Sequence, residues 1–200
     1  MIKRILAKMI FPLLGKKRLY KFWYKLYRYS LRGMNASNGS DITKTGELYV
    51  INHIKKNKRG NAPVLFDVGA NVGNYTKALL NCFDDNCVIH SFEPAEKTFE
   101  TLSHNVKADN VILNNFGISK EAKVATLYYD KETSPYASVY QRQSDYHTKD
   151  FRKISETIKL ETIDNYCNEN KIEYIDFLKL DIEGHELEAL IGAHKMLSSK

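Results

Sequence analysis

Two hundred residues, 43% apolar and 27% charged, suffice for one globular domain with a proper core plus an appendage, and leave little room for a second catalytic domain. The net charge of +6 is uneven: Met1 to Arg32 carries ten of the 30 Lys and Arg residues and no acid, so the remainder holds 20 basic against 24 acidic side chains, a balance of minus 4. A mildly acidic body argues against a nucleic-acid-binding core. Cys82, Cys87 and Cys167, with no Cys-x-x-Cys pair, argue against a disulfide framework or zinc knuckle and suit buried small hydrophobes in a reducing, cytoplasmic compartment.

In the basic arm, Ile2, Ile5, Leu6, Met9, Ile10 and Leu13 fall at helical spacing. After Pro12 and Gly15 interrupt it, the pattern resumes with Leu19, Phe22, Trp23, Leu26 and Tyr29 or Ser30. Two short amphipathic helices are expected. The longest unbroken apolar run, Met9 to Leu14, is far below the roughly 20 residues that cross a bilayer, and no small-residue cleavage site follows it. Such an arm either lies on an anionic membrane surface, as a peripheral contact, or packs on the domain. Arg32 to Asp41 reads as a Gly-, Ser- and Asn-rich linker. Residues 1–41 are therefore taken as arm and linker and 42–200 as the domain, with a first helix from Thr43 to about Lys56.

The run Val64 to Val68, apolar except for Asp67, suits a buried parallel strand that delivers an acid to the sheet's carboxyl edge. Gly69 and Gly73 allow a sharp turn and a close backbone approach to a ligand, and the N–H groups opening the next helix, roughly Gly73 to Asn81, suit an anion. Twenty positions after Gly73, Glu93 closes the strand Val88 to Phe92, where a carboxylate can accept both hydroxyls of a ribose. A nicotinamide oxidoreductase would carry Gly-x-Gly-x-x-Gly, and Gly69-Ala-Asn-Val-Gly73 lacks that pattern.

Further along, Pro94 opens a helix to about Val106, Val111 to Leu113 makes a third strand, and Lys123 to Tyr129 reads as another strand. Thr133 to Ser155, polar and aromatic, suits a mobile cap over a site. Thr157 to Leu160 is expected as an edge strand, Ile163 to Asn170 as a helix, and Tyr174 to Leu180 as a central strand that delivers Asp181. The stretch Asp181-Ile-Glu183-Gly-His185-Glu186 then places three acids where open α/β sheets bind ligands, so one can act as a base toward an alcohol or two can hold a divalent cation. Stabilisation of the start of a helix, Leu187 to Met196, could alone explain Glu183 and above all Glu186, whereas Asp181 is expected to have a functional role. His185 is expected to be solvated.

From Val64 to Met196 the chain resembles the FkbM family of S-adenosylmethionine-dependent methyltransferases. The matching elements are Asp67-Val-Gly-Ala-Asn-Val-Gly73, Phe92-Glu93-Pro94, Asn114 to Ser119, Ser134 to Ser138, Leu160 to Asp164 and, most specific, Leu178-Lys-Leu-Asp-Ile-Glu-Gly-His-Glu186. The resemblance implies a Rossmann-like class I methyltransferase sheet with an amino-terminal helical arm. It implies that Gly69, Asn71 and Gly73 hold the methionine end of S-adenosylmethionine, Asp67 faces its ammonium, Glu93 takes the ribose, and Asn115 and Phe116 touch the adenine. Asp181 would lie beneath the sulfonium. Asp181 and Glu183 are the candidates for taking the acceptor's proton, with or without a divalent metal, for which no ligand residue is assigned.

The implied reaction is methyl transfer to a hydroxyl of a saccharide, glycolipid or natural product. Family members continue beyond the helix that follows the Asp181 strand, whereas this sequence stops at Lys200. The sheet is accordingly expected to lack its last strands, exposing one edge of Tyr174 to Leu180. A non-catalytic binding protein derived from a methyltransferase is the rival reading.

Overall fold

Strand β1 (Val64–Val68) forms where the sequence alternates least, and four of its five residues are buried, as expected of a strand covered on both faces. In the computed structural model, which describes residues 11–34, 42, 46–57, 62–83, 86–129, 137–140 and 154–198, β1 is flanked by β2 (Val88–Phe92) and β7 (Phe177–Leu180), with β3 (Val111–Asn114) beyond β2. The order β3-β2-β1-β7 is parallel throughout, with Asp67 opposite both Ser91 and Lys179. Helices α3 (Asn74–Phe83) and α4 (Glu96–Asn105) follow β1 and β2, the alternation of a doubly wound sheet.

A second sheet has the order β4-β6-β5, from β4 (Gly117–Ile118), β5 (Lys123–Tyr129) and β6 (Ile154–Glu161). Here the expected edge strand Thr157 to Leu160 is both longer and central: β6 runs antiparallel to β5 over seven residue pairs and also pairs with β4. Period-two patterning identifies a strand but not its neighbours, and the pairing followed from packing of Leu127, Ile158 and Leu160. Of the expected cap, 133–136 and 141–153 lie outside the described residues. Ser138 within it bridges to Tyr128.

The strand expected from Tyr174 starts only at Phe177, because Asp176 turns its carboxylate onto the backbone N–H of Val64 at 2.8 Å. Among the described residues β7 pairs with β1 alone, so it stands at the edge of its sheet rather than in the centre. The helix expected from Leu187 to Met196 is two: α6 (Glu186–Ile191) and α7 (His194–Ser198). Gly192 breaks it. A Cβ there would lie 2.1 Å from the carbonyl oxygen of Ser119, and its own carbonyl accepts from Asp164 N–H. Asp164, on α5 (Ile163–Glu169), caps α7 by accepting from the N–H groups of Lys195 and Met196.

The core under the parallel sheet is aromatic. Phe66, Phe92 and Tyr166 pack with ring centroids 4.9 to 5.8 Å apart, and Tyr166 hydroxyl lies 2.7 Å from His90 Nδ1. Burial pushes the His90 imidazole down to about 4, so it is a neutral core residue. Cys87 and Cys167 are buried and Cys82 is half-buried, none of the three in a disulfide.

The chain divides into two compact units, 1–49 and 50–200. In the first, Phe11–Leu13 and Lys17–Leu19 are single 3-10 turns and Tyr20–Gly33 is helix α1; none of their residues is buried. The Trp23 indole donates to the Leu13 carbonyl at 3.2 Å. The first expected arm helix lies mostly in residues 1–10, outside the described residues. Helix α2 (Glu47–Asn57) starts later than Thr43. Among the described residues no helix is long and apolar enough to cross a membrane.

Candidate active site

Asp67, at the carboxyl end of β1, has no exposed surface. Its Oδ2 accepts from Thr76 Oγ1 at 2.7 Å, and Thr76 in turn lies 2.9 Å from Ser91 Oγ. Its Oδ1 is 3.0 Å from Lys179 Nζ, which also donates to the Gly69 carbonyl at 2.9 Å, approaches Asp181 Oδ2 at 3.8 Å and sits 5.3 Å above the Tyr75 ring. A buried carboxylate persists because a nearly buried ammonium neutralises it. Oδ2 is thus hydrogen-bonded, while Oδ1 has the ion pair with Lys179 and, among the described residues, no hydrogen bond of its own.

The turn after β1 touches the end of β7. Gly69 has φ +78°, and a Cβ there would lie 2.0 Å from the Asp181 carbonyl oxygen, so the close approach that demands glycine is to the chain itself. Gly73, at φ +89°, faces Val106 and Leu102 at 2.7 and 2.8 Å from a built Cβ, which is how α4 comes to lie against this turn. Between them Asn71 adopts φ +49°, its side chain accepting from Val72 N–H and its own N–H donating to Glu93 Oε2 at 3.0 Å.

Glu93, at the end of β2, takes a second N–H, from Ala95, on Oε1. It is only 7% exposed, and burial pushes its carboxyl up to about 7 despite both backbone donors and the charge of Lys179. Asn115 reaches back to donate to the Glu93 and Pro94 carbonyls. Phe116 is half-buried with its ring 5.6 Å from Phe92. Gly69, Asn71, Gly73, Glu93 and Asn115 therefore form one connected rim, while Phe116 leans into the core beside it.

Across the rim stands the acidic turn. The Asp181 carboxylate is 71% exposed, and its backbone N–H is held by the Val68 carbonyl. Glu183 takes φ +53°, a left-handed conformation that costs a non-glycine residue, and its carbonyl accepts from Ser138 Oγ at 3.1 Å. Glu186 caps the turn, Oε1 accepting from Ile182 and Gly184 N–H. His185 is not solvated: it is buried, with Nδ1 3.0 Å from Tyr140 hydroxyl and Nε2 3.0 Å from Ser119 Oγ. Desolvation lowers its proton affinity.

Sequence reasoning passed over Lys179 and Thr76 as site residues. The signal for Lys179 was a lone charge inside an apolar strand, two positions before an acid. Among the described residues no group of three or more His, Cys, Asp and Glu side chains is arranged to hold a metal ion.

Comparison with known proteins accords with this layout. The model of the methyltransferase FkbM domain matches residues 67–200. The chain is similar to the hexuronic acid methyltransferase AglP of Haloferax volcanii, at 32% identity over 138 residues, covering 68% of this chain and 52% of that protein. It is also similar to methyltransferase 1 of Beauveria bassiana, at 26% identity over 145 residues, covering 64% and 57%. The chain thus spans a little over half the length of these relatives, and no solved structure matches it. With the matched region running from the buried Asp67 through the acidic turn and beyond it, the chain belongs to the FkbM methyltransferase family.

Proposed function

We propose that this chain is an S-adenosylmethionine-dependent O-methyltransferase acting on a hydroxyl of a saccharide or a saccharide-bearing lipid. One observation carries the reading: the Gly69–Gly73 turn, Glu93 and the Asp181 turn are joined by direct hydrogen bonds and an ion pair at the carboxyl end of one parallel sheet, where such folds hold nucleosides. The residues fit the cofactor. Glu93 offers a buried carboxylate whose remaining acceptor capacity suits ribose hydroxyls, and the start of α3 suits a carboxylate. Asn115 and Phe116 flank Glu93 where an adenine would lie. Asp67, already neutralised by Lys179, acts through the geometry it imposes on the Gly69 carbonyl.

When bound, S-adenosylmethionine supplies an electrophilic methyl group. The chain's part is to orient the acceptor, exclude water and receive a proton. Asp181, exposed at the rim, and the strained Glu183 are the two carboxylates suited to that last role, alone or with a divalent cation. The saccharide acceptor is supported by the hexuronic acid relative.

Calorimetry with S-adenosylmethionine and NADH tests the reading. Binding of the first alone, weakened at least tenfold in Glu93→Ala, is expected. Equal affinity in that variant sinks the site assignment. Cofactor binding without transfer to any of a panel of hexuronic acid glycosides favours the non-catalytic alternative.

A further inference from the structure

The helix α1 (Tyr20–Gly33) sorts its side chains around the axis in a way the methyltransferase reading does not use. Lys21, Lys25, Arg28 and Arg32 recur at intervals of four, three and four, so they form a single stripe along the helix. At about 100° per residue that stripe covers roughly 60° of the circumference, and an arc of roughly 220° opposite it, from Tyr29 round to Tyr24, carries Phe22, Leu26, Trp23, Tyr27, Tyr20 and Leu31, interrupted by Gly33 and Ser30. No residue of the helix is buried, and Tyr20, Phe22, Tyr24, Tyr27 and Tyr29 are 49% to 67% exposed. Lys16, Lys17 and Arg18 precede the helix, and not one acid lies between Met1 and Arg32.

We propose that α1 is a surface-binding helix that lies in the plane of an anionic phospholipid membrane, with its Tyr, Phe and Trp arc in the headgroup and upper acyl region and its basic stripe against the lipid phosphates. The partner class follows from both halves of the pattern. Nucleic acid or an acidic protein loop would neutralise Lys21, Lys25, Arg28 and Arg32 but leave the wide aromatic arc in water. A neutral apolar partner would cover the arc but leave an uncompensated cationic run. An anionic bilayer surface satisfies both, because amphipathic Tyr and Trp rings prefer that boundary and Lys and Arg stems reach from it to the headgroups. Anchoring there would bring the adjoining domain to acceptors carried on lipid, a point that rests on the function proposed above, whereas membrane binding itself does not.

Trp23 is the sole tryptophan of the chain, so its fluorescence reports on the helix without ambiguity. Full-length protein is titrated with vesicles of phosphatidylcholine alone or with about 30% phosphatidylglycerol, following Trp23 emission and co-sedimentation. Expected is a blue shift and binding to the anionic vesicles about a hundredfold tighter than to neutral ones, weakened in about 0.5 M salt. The variant K21Q/K25Q/R28Q/R32Q should lose the preference for anionic lipid, and F22S/L26S/Y29S, with every charge intact, should lose the blue shift. Thermal unfolding of both variants checks that residues 50–200 remain folded. Unshifted Trp23 emission with either vesicle, an unaltered affinity in either variant, or an equal blue shift with heparin in place of lipid overturns the proposal. S-adenosylmethionine binding is unaffected by that failure, so the two readings fall separately.

Discussion

Lys179 Nζ lies 3.0 Å from Asp67 Oδ1, and the two residues face each other across neighbouring parallel strands, so an ion pair is built into the sheet beneath the site. The same ammonium holds the Gly69 carbonyl and lies near Asp181, tying both motif turns to one charge. Removing one partner leaves the other as an uncompensated buried charge. Lys179→Met should therefore cost about 3 to 5 kcal/mol, and adding Asp67→Asn should restore much of it, since Asn can still accept from Thr76. Denaturant unfolding of the two single variants and the double checks this. Strict additivity would show that the pair is not coupled.

Gly69→Ala should be among the most damaging small substitutions, by at least about 3 kcal/mol, because it combines a positive φ with a Cβ only 2.0 Å from a backbone oxygen that cannot swing away. Gly33→Ala, where nothing lies within 4 Å, serves as the control and should leave thermal unfolding within about 0.5 kcal/mol of the parent.

Glu183 holds a left-handed backbone conformation, φ +53°, that costs a non-glycine residue. Glu183→Asn, a residue tolerant of the left-handed region, should leave stability unchanged or raise it by up to about 1 kcal/mol, while methyl transfer drops by about a hundredfold or more. A variant that is both fully active and more stable would remove Glu183 from the reaction.

Two buried groups oppose each other in the pH dependence of stability. His90, lowered from 6.5 to about 4, favours the folded state less as pH falls, because the unfolded chain takes up the proton first. Glu93, raised from 4.5 to about 7, acts the other way, because between those values the folded chain holds a proton the unfolded one has released. The parent should thus show little net slope from this pair between pH 4.5 and 6.5. Glu93→Gln should lose stability on acidification through that window, and His90→Gln should gain it. Urea midpoints at several pH values decide.

On the proposed placement of the ribose at Glu93, the same shift would link cofactor binding to pH. Ribose hydroxyls need an acceptor, so affinity for S-adenosylmethionine should fall about tenfold per unit as pH drops below about 7, the point to which burial raises this carboxyl. Isothermal titration from pH 5.5 to 8 on the parent and on Glu93→Gln isolates the effect, which the variant should lack.

Much of this protein was legible in one dimension. Strands β1, β2 and β5, the turn glycines, the acid closing β2 and the acidic turn after β7 all depend on local periodicity and on backbone conformations few residues adopt, and such properties are written into short windows. What lay beyond reach were relationships between distant segments. That Gly69 is required by the Asp181 backbone, that Lys179 neutralises Asp67, that His185 is buried between Ser119 and Tyr140, and that Gly192 splits a helix to pass Ser119 are all set by packing across 45 to 112 residues of chain. Pairing partners and burial follow from the whole core, so the sequence named the residue types at the sheet's edge and the tertiary structure alone decided which of them stay exposed and which hold one another.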